Sequence, residues 1–282
     1  MMHESDKYWE IKPHTSLLDV KIKENYEYRD LLWLLVKRDF VSFYKQTVLG
    51  PVWFFIQPIF TVLIYSLVFG SVAGISTDGL PKPLFYLAGV VTWNYFSDCF
   101  IKTSSVFRDN ASIFGKVYFP RLIMPLSIVF SNLVKFAVQL LLFLGMMVFF
   151  GLTGANFHVT WYILLFPLLV LLMACLGLGM GMVVSALTTK YRDLAFLVTF
   201  GVPLLMYATT VVFPLSAAPE RFANIIRFNP MTPIIETFRK GFLGTGTFSW
   251  AMLGYTTLVT AIVLFSGVII FNKVQKSFVD TV

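Results

Sequence analysis

Read from its N-terminus, the chain alternates long apolar runs with shorter polar connections. Six runs, at about 52–73, 84–101, 122–150, 161–187, 194–215 and 250–271, are long enough to cross roughly 30 Å of hydrocarbon, which takes about 20 helical residues. They are continuous rather than alternating, which excludes a β-barrel. Pro58, Pro125, Pro167 and Pro203 fall inside runs, where neighbouring helices can re-satisfy the carbonyls a proline frees. The third run exceeds the bilayer thickness and predicts a tilted or protruding helix.

Three segments outside the runs have patterns of their own. In residues 28–45, Leu32, Trp33, Val36, Phe40, Phe43 and Tyr44 form one apolar arc at helical spacing, with Lys37, Arg38, Ser42 and Lys45 away from it. That is an amphipathic helix lying in the interface, with Leu31, Leu34, Leu35 and Val41 packing partly on protein. A seventh crossing there would bury Arg38 and Asp39 at mid-membrane. Residues 219–246 are amphipathic and broken at Asn229-Pro230 and Pro233. Their pieces are too short to span, and predict two re-entrant helices hinged at the prolines. In the loop 102–121, Asp109 or Asn110 is placed to cap a short helix that Gly115 and Pro120 end. That helix displays Ile113, Phe114, Val117, Tyr118 and Phe119, either against its own spans or toward a partner.

Composition agrees with a membrane chain. Apolar residues make up 57% and charged residues 13%, with a mean hydropathy of +0.76. Soluble domains carry about 45–50% and about 25%. The net charge of +7 reflects topology. Sixteen Lys and Arg fall on the side of both termini, five on the other, and Lys135 within a run. The positive-inside rule therefore puts both termini in the cytoplasm, and nucleic-acid binding is the poorer reading. The charged first thirty residues lack the apolar core of a cleavable signal peptide.

The chemistry on offer is sparse. Cys99 and Cys175 have no paired spacing, and His3, His14 and His158 are scattered, so neither a disulfide framework nor a metal site is expected. No G-x-x-x-x-G-K-[ST] sequence exists to cradle ATP phosphates. Asp98 and Lys135 are the clear charges deep in runs; because consecutive runs are antiparallel, a structural ion pair is expected. Gly177 and Gly181 form a GxxxG close-packing signal.

Four segments, in order and on this six-run map, resemble the permease subunits of ABC transporters that export lipid-linked polysaccharides such as O antigen, capsule and teichoic acid. They are YKQTVLGPVWFFIQPIF (44–60), SIFGKVYFPRLIMPLS (112–127), TTKYRDL (188–194) and FNPMTPIIETFRKGFLG (228–244). The resemblance implies a bacterial inner-membrane homodimer enclosing a glycan channel, driven by two copies of a separate ABC ATPase that holds the ATP and Mg. This chain would bind no cofactor and catalyse nothing. It further implies ATPase coupling through Asp109, Asn110, Ile113, Phe114, Lys116 and Tyr118, a gate in residues 219–246, and spans one and five at the channel wall.

A sliding glycan needs shallow aromatic contacts rather than deep wells. Phe54, Tyr65 and Phe69 in span one and Tyr207 and Phe213 in span five are the candidates, against the ordinary role of lipid-facing aromatics. A carrier pyrophosphate needs cations near headgroup level: Arg38 and Lys45 on one side, Arg221, Arg227 and Arg239 on the other. Their competing role is to anchor to anionic membrane lipids or to pair with Asp39 and Glu236.

The expected architecture is thus an all-α integral membrane domain of six transmembrane helices over residues 28–282, behind a cytoplasmic tail, 1–27. The expected function is export of undecaprenyl-linked polysaccharide, O antigen first, from cytoplasm to periplasm. Alternatives are a permease of the same architecture for capsule, teichoic acid or a small lipid or drug, a transferase acting on carrier lipid, and a channel without an ATPase. A transferase would need acidic or histidine residues clustered at one membrane face, which the sequence does not offer.

Overall fold

The computed structural model describes residues 22–45, 47–110, 119–191 and 193–279, and every regular element among them is helical. In order they are α1 (Ile22–Glu27), α2 (Arg29–Tyr44), α3 (Trp53–Tyr65), α4 (Lys82–Ser104), α5 (Val106–Asp109), α6 (Ile123–Leu152), α7 (Phe166–Thr188), α8 (Leu194–Leu205), α9 (Glu220–Phe228), α10 (Met231–Leu243) and α11 (Trp250–Val279). Short 3-10 turns lead into α3 and α7, and α3 runs on as a π-helical stretch, Ser66–Val72.

Among the described residues, four stretches are long and apolar enough to cross a membrane: Gly50–Val72, Ile123–Leu152, Trp161–Thr188 and Trp250–Val274. The two remaining apolar runs depart from the expected pattern for different reasons. α4 has the length, at 23 residues, but 17 of them are buried, because it stands at the centre and packs against α3, α6, α7, α8 and α10. Packed against protein on most of its circumference, it tolerates polar residues that a peripheral helix would not. The run from 194 stays helical only to Ala208, and residues 209–214 continue without helix. At about 1.5 Å per residue, that helical part reaches roughly 22 Å, short of the hydrocarbon thickness.

Close approach explains the glycines of α7. A Cβ on Gly177 would lie 2.8 Å from Cys99 Cβ and 2.9 Å from the Phe96 carbonyl, and one on Gly181 would collide with Thr103, so this face presses directly on α4. The two residues lie one helical turn apart, so they present a single face.

α2 packs on α6 and buries Leu35 and Val36, while Trp33 and Leu34 stay exposed. Leu35 packs on protein and Trp33 of the apolar arc stays uncovered, as read from the sequence, whereas Leu34 is exposed and Val36 of the arc is buried. α5 and the start of α6 join the same cluster, where Phe107 stacks on Phe271 at 4.5 Å between ring centroids. At the opposite end the segment 219–246 separates into α9 and α10 at Asn229-Pro230, with the Asn229 side chain accepting from the Met231 amide at 3.0 Å. The two helices differ: α9 is largely exposed, whereas 12 of the 13 residues of α10 are buried.

Candidate functional site

Where the run from 194 leaves its helix, the carbonyls of residues 209–214 lose their helical partners and need others. Arg239 supplies them at Thr210 and Val211. Its guanidinium is 1% exposed and donates to the Thr210 carbonyl, to Val211 O at 3.0 Å and to Phe85 O at 3.4 Å. It also lies 3.6 Å from the centroid of the Phe85 ring and pairs with Glu236 Oε1 at 3.5 Å. Glu236 in turn accepts from the Thr247 amide at 2.9 Å and from the Thr247 hydroxyl at 3.2 Å. One arginine therefore ties α10 to α4 and to the broken end of the α8 segment, and its carboxylate partner ties α10 to Thr247 in the connection leading into α11. A planar group with five donors suits this task in a way an ammonium does not. Gly89 makes room for it: a Cβ there would sit 2.9 Å from the guanidinium. This corrects the expectation for Arg239, whose charge faces carbonyls inside the protein and not a headgroup.

A second charge pair lies toward the other end of α4. Lys135 Nζ is 2.6 Å from Asp98 Oδ2, bridging α6 and α4, with side chains 12% and 26% exposed. One turn along α4, Lys102 Nζ donates to Asn132 Oδ1 at 3.0 Å. The two contacts form a short polar ladder across an otherwise apolar interface.

The aromatic candidates separate. Tyr65, Phe69 and Tyr207 come together: Tyr65 and Phe69 meet edge to face at 5.4 Å, and Phe69 lies 6.3 Å from Tyr207. Tyr86 of α4 closes the cluster from behind, 6.1 Å from Tyr65. Phe213 is half-buried and packs against the main core. Phe54 lies elsewhere, 3% exposed and stacked on Phe40 at 5.6 Å, which seats it under α2 and corrects its placement at an open wall. Along the exposed face of α3, Trp53, Ile56, Gln57, Phe60, Thr61 and Ile64 line a shallow groove of about 470 Å³.

Arg38 is exposed and bonds Asp39 at 2.8 Å, the competing role foreseen for it; Lys45, Arg221 and Arg227 are exposed. Asp109 turns back to Arg108 at 2.9 Å, and the Asn110 amide donates to Val106 O at 3.0 Å, so both side chains close α5. Ile113, Phe114, Lys116 and Tyr118 lie outside the described residues.

The amino-acid sequence that builds these elements has counterparts in known proteins. A family model described as ABC-2 type transporter matches residues 30–243, from the start of α2 to the end of α10. The chain belongs to the ABC-2 type transporter membrane family. This ABC-2 subunit is 28% identical over 264 residues to the O-antigen export system permease protein RfbA of Myxococcus xanthus, covering 93% of this chain and 98% of the relative. An RfbA permease of Klebsiella pneumoniae is 27% identical, with 93% and 99% covered. The polysialic acid transport protein KpsM of Escherichia coli is 20% identical over 234 residues, covering 83% of this chain and 89% of that one. With its apolar helices, the ABC-2 subunit is a multi-pass membrane protein.

Sequence reasoning missed Lys102 and Asn132, although both carried a signal. Lys102 follows Asp98 by four residues and Asn132 precedes Lys135 by three, so each sits one turn from a charge already singled out. It also missed Tyr86, Thr210 and Val211, which take their importance from where the α8 helix of this ABC-2 subunit stops.

Proposed function

We propose that this ABC-2 subunit is the permease half of an ATP-driven exporter that moves an undecaprenyl-linked polysaccharide, O antigen in the first instance, outward across the bacterial inner membrane. The observation that carries the reading is the near end-to-end similarity to O-antigen export permeases, which covers 93% of this chain. The geometry supports it on two counts. α3 and α8 keep apolar faces uncovered, with Phe60, Leu63, Ile64, Phe196, Leu197 and Phe200 all more than half exposed, as a wall completed by a second copy requires. At one end of those helices Tyr65, Phe69 and Tyr207 offer rings and hydroxyls suited to weak contacts with sugars.

In this scheme a separate ABC ATPase hydrolyses ATP and pushes on the segment 102–121, with Asp109 and Asn110 at its base and Ile113, Phe114, Lys116 and Tyr118 as its docking side chains. The termini lie in the cytoplasm. Tyr65, Phe69, Tyr207 and Phe213 line the path, and α9 and α10 gate its outer end. Arg38 and Lys45 meet the carrier pyrophosphate on the inner side, and Arg221 and Arg227 on the outer side. The test is complementation: cells lacking their O-antigen permease should regain surface polysaccharide when given this chain together with its ATPase, and not when Phe114 and Tyr118 are both changed to Asp. Nucleotide hydrolysis or carrier-lipid modification by the purified chain alone would overturn the reading.

A further inference from the structure

Between Leu84 and Phe107, every residue is buried except Asn94, Asp98, Ile101, Lys102 and Ser105. These five stand at positions i, i+4, i+7, i+8 and i+11, which is one helical face about 100° wide. Four of the five are polar or charged. The open face of α11 is the opposite, carrying Leu258, Ile262 and Phe265. A face turned to acyl chains would be apolar, because a charge in lipid costs several kcal/mol. This side of α4, exposed at Lys102 and partly covered at the other four positions, therefore meets water or a polar ligand.

Its charge selects the ligand. Asp98 is engaged by Lys135 at 2.6 Å, whereas Lys102 is held by an amide oxygen, Asn132 Oδ1, and no carboxylate pairs with it among the described residues. The face thus carries one excess positive charge. It continues past Ser105, which hydrogen-bonds Asp109, to the loop at the end of α4. Asn94 is ten residues from the end of the helix, about 15 Å along its axis, so the strip reaches to roughly the middle of the membrane.

We infer that this face of α4 is a hydrated binding strip for the pyrophosphate headgroup of the carrier lipid, with Lys102 as its anchoring cation and Asn94, Asp98 and Ser105 as its polar wall. The inference rests on the proposed export of a lipid-linked glycan and adds a headgroup site distinct from Arg38 and Lys45. A dianionic headgroup offers acceptors to Lys102, and sugar hydroxyls behind it can donate to the Asn94 and Ser105 oxygens.

The experiment uses the full chain with Cys99 and Cys175 replaced by Ala, carrying Asn94→Cys, Ser105→Cys or, as an apolar-face control, Leu258→Cys, in phosphatidylcholine vesicles. A charged, membrane-impermeant thiosulfonate should label Asn94→Cys and Ser105→Cys at least about tenfold faster than Leu258→Cys, since the reagent is excluded from lipid. Undecaprenyl pyrophosphate in the vesicles should slow that labelling, an equal amount of phosphatidylglycerol should not, and Lys102→Gln should abolish the protection. Equal protection by both lipids would overturn the carrier assignment. Labelling no faster than the control would overturn the strip itself, by placing the face against lipid or a protein neighbour. Ser105→Cys is nearly isosteric and guards against misfolding as the cause. Failure here leaves complementation by the unmodified chain intact, whereas failure of the export reading abolishes it.

Discussion

Two charge pairs that touch α4, Glu236–Arg239 and Asp98–Lys135, are made from the same ingredients and do different work. Glu236–Arg239 lies within one helix, 1% exposed on both sides, at 3.5 Å. Asp98–Lys135 joins two helices, is partly open, and is shorter, at 2.6 Å. Distance alone would rank Asp98–Lys135 as the stronger. By consequence Glu236–Arg239 matters more, because Arg239 also satisfies carbonyls of Phe85, Thr210 and Val211, the last two of which have left regular structure. A pair whose cation completes the backbone cannot be removed without leaving several buried groups unmet. A pair that completes no broken backbone can be replaced by another neutral arrangement at smaller cost.

The sharpest way to break this contrast is Arg239→Ala. It strands Glu236 in the interior together with the freed carbonyls, and is expected to cost on the order of 3–5 kcal/mol, seen as loss of monodisperse protein in detergent. Arg239→Lys should recover only part, since an ammonium cannot reach the same set of acceptors from one plane. Wild-type thermal stability in Arg239→Ala would show that the carbonyls at the end of the α8 segment find other partners.

The next effect is smaller and tests the other pair. Asp98→Asn and Lys135→Gln should each lower stability by roughly 1–3 kcal/mol, because each leaves its partly covered partner charged and without its counter-charge. The double substitution should cost less than the two together, with a coupling of about 1 kcal/mol in a thermal-unfolding cycle. Strict additivity would mean that the two charges do not stabilise one another and that the short contact is incidental.

How far each pair was legible follows from its surroundings in the sequence. Asp98 and Lys135 stand out because each is an isolated charge in an apolar run, and the antiparallel order of consecutive runs brings them together. Arg239 sits in a segment that also holds Arg221, Arg227 and Lys240, so its pattern is that of an interfacial helix. Periodicity reports that a helix has two faces; it does not report whether the charged one meets water or an unwound stretch of another helix. The stop at residue 209 was equally hidden, since Thr209–Phe213 is as apolar as a continuing span and Pro203 occurs in helices that go on. What was visible but unread is the face of α4: Asn94, Asp98, Lys102 and Ser105 are at helical spacing, a pattern that emerges only when the charges are taken as a series.

The smallest expected effect joins the keystone to the aromatic cluster. Tyr86 stacks edge to face on Phe85 at 5.4 Å, the ring that Arg239 covers, and meets Tyr65 at 6.1 Å. Its hydroxyl is buried and has no hydrogen-bond partner among the described residues. If the ring alone does the work, Tyr86→Phe keeps every aromatic contact and removes a costly polar atom, so stability should stay within about 0.5 kcal/mol or rise. A loss greater than about 1 kcal/mol would instead show that a water is held between this hydroxyl and its polar neighbours, as buried waters commonly are. The aromatic cluster and the arginine keystone would then move as one unit, and changes at Tyr65 would be felt at residues 210 and 211.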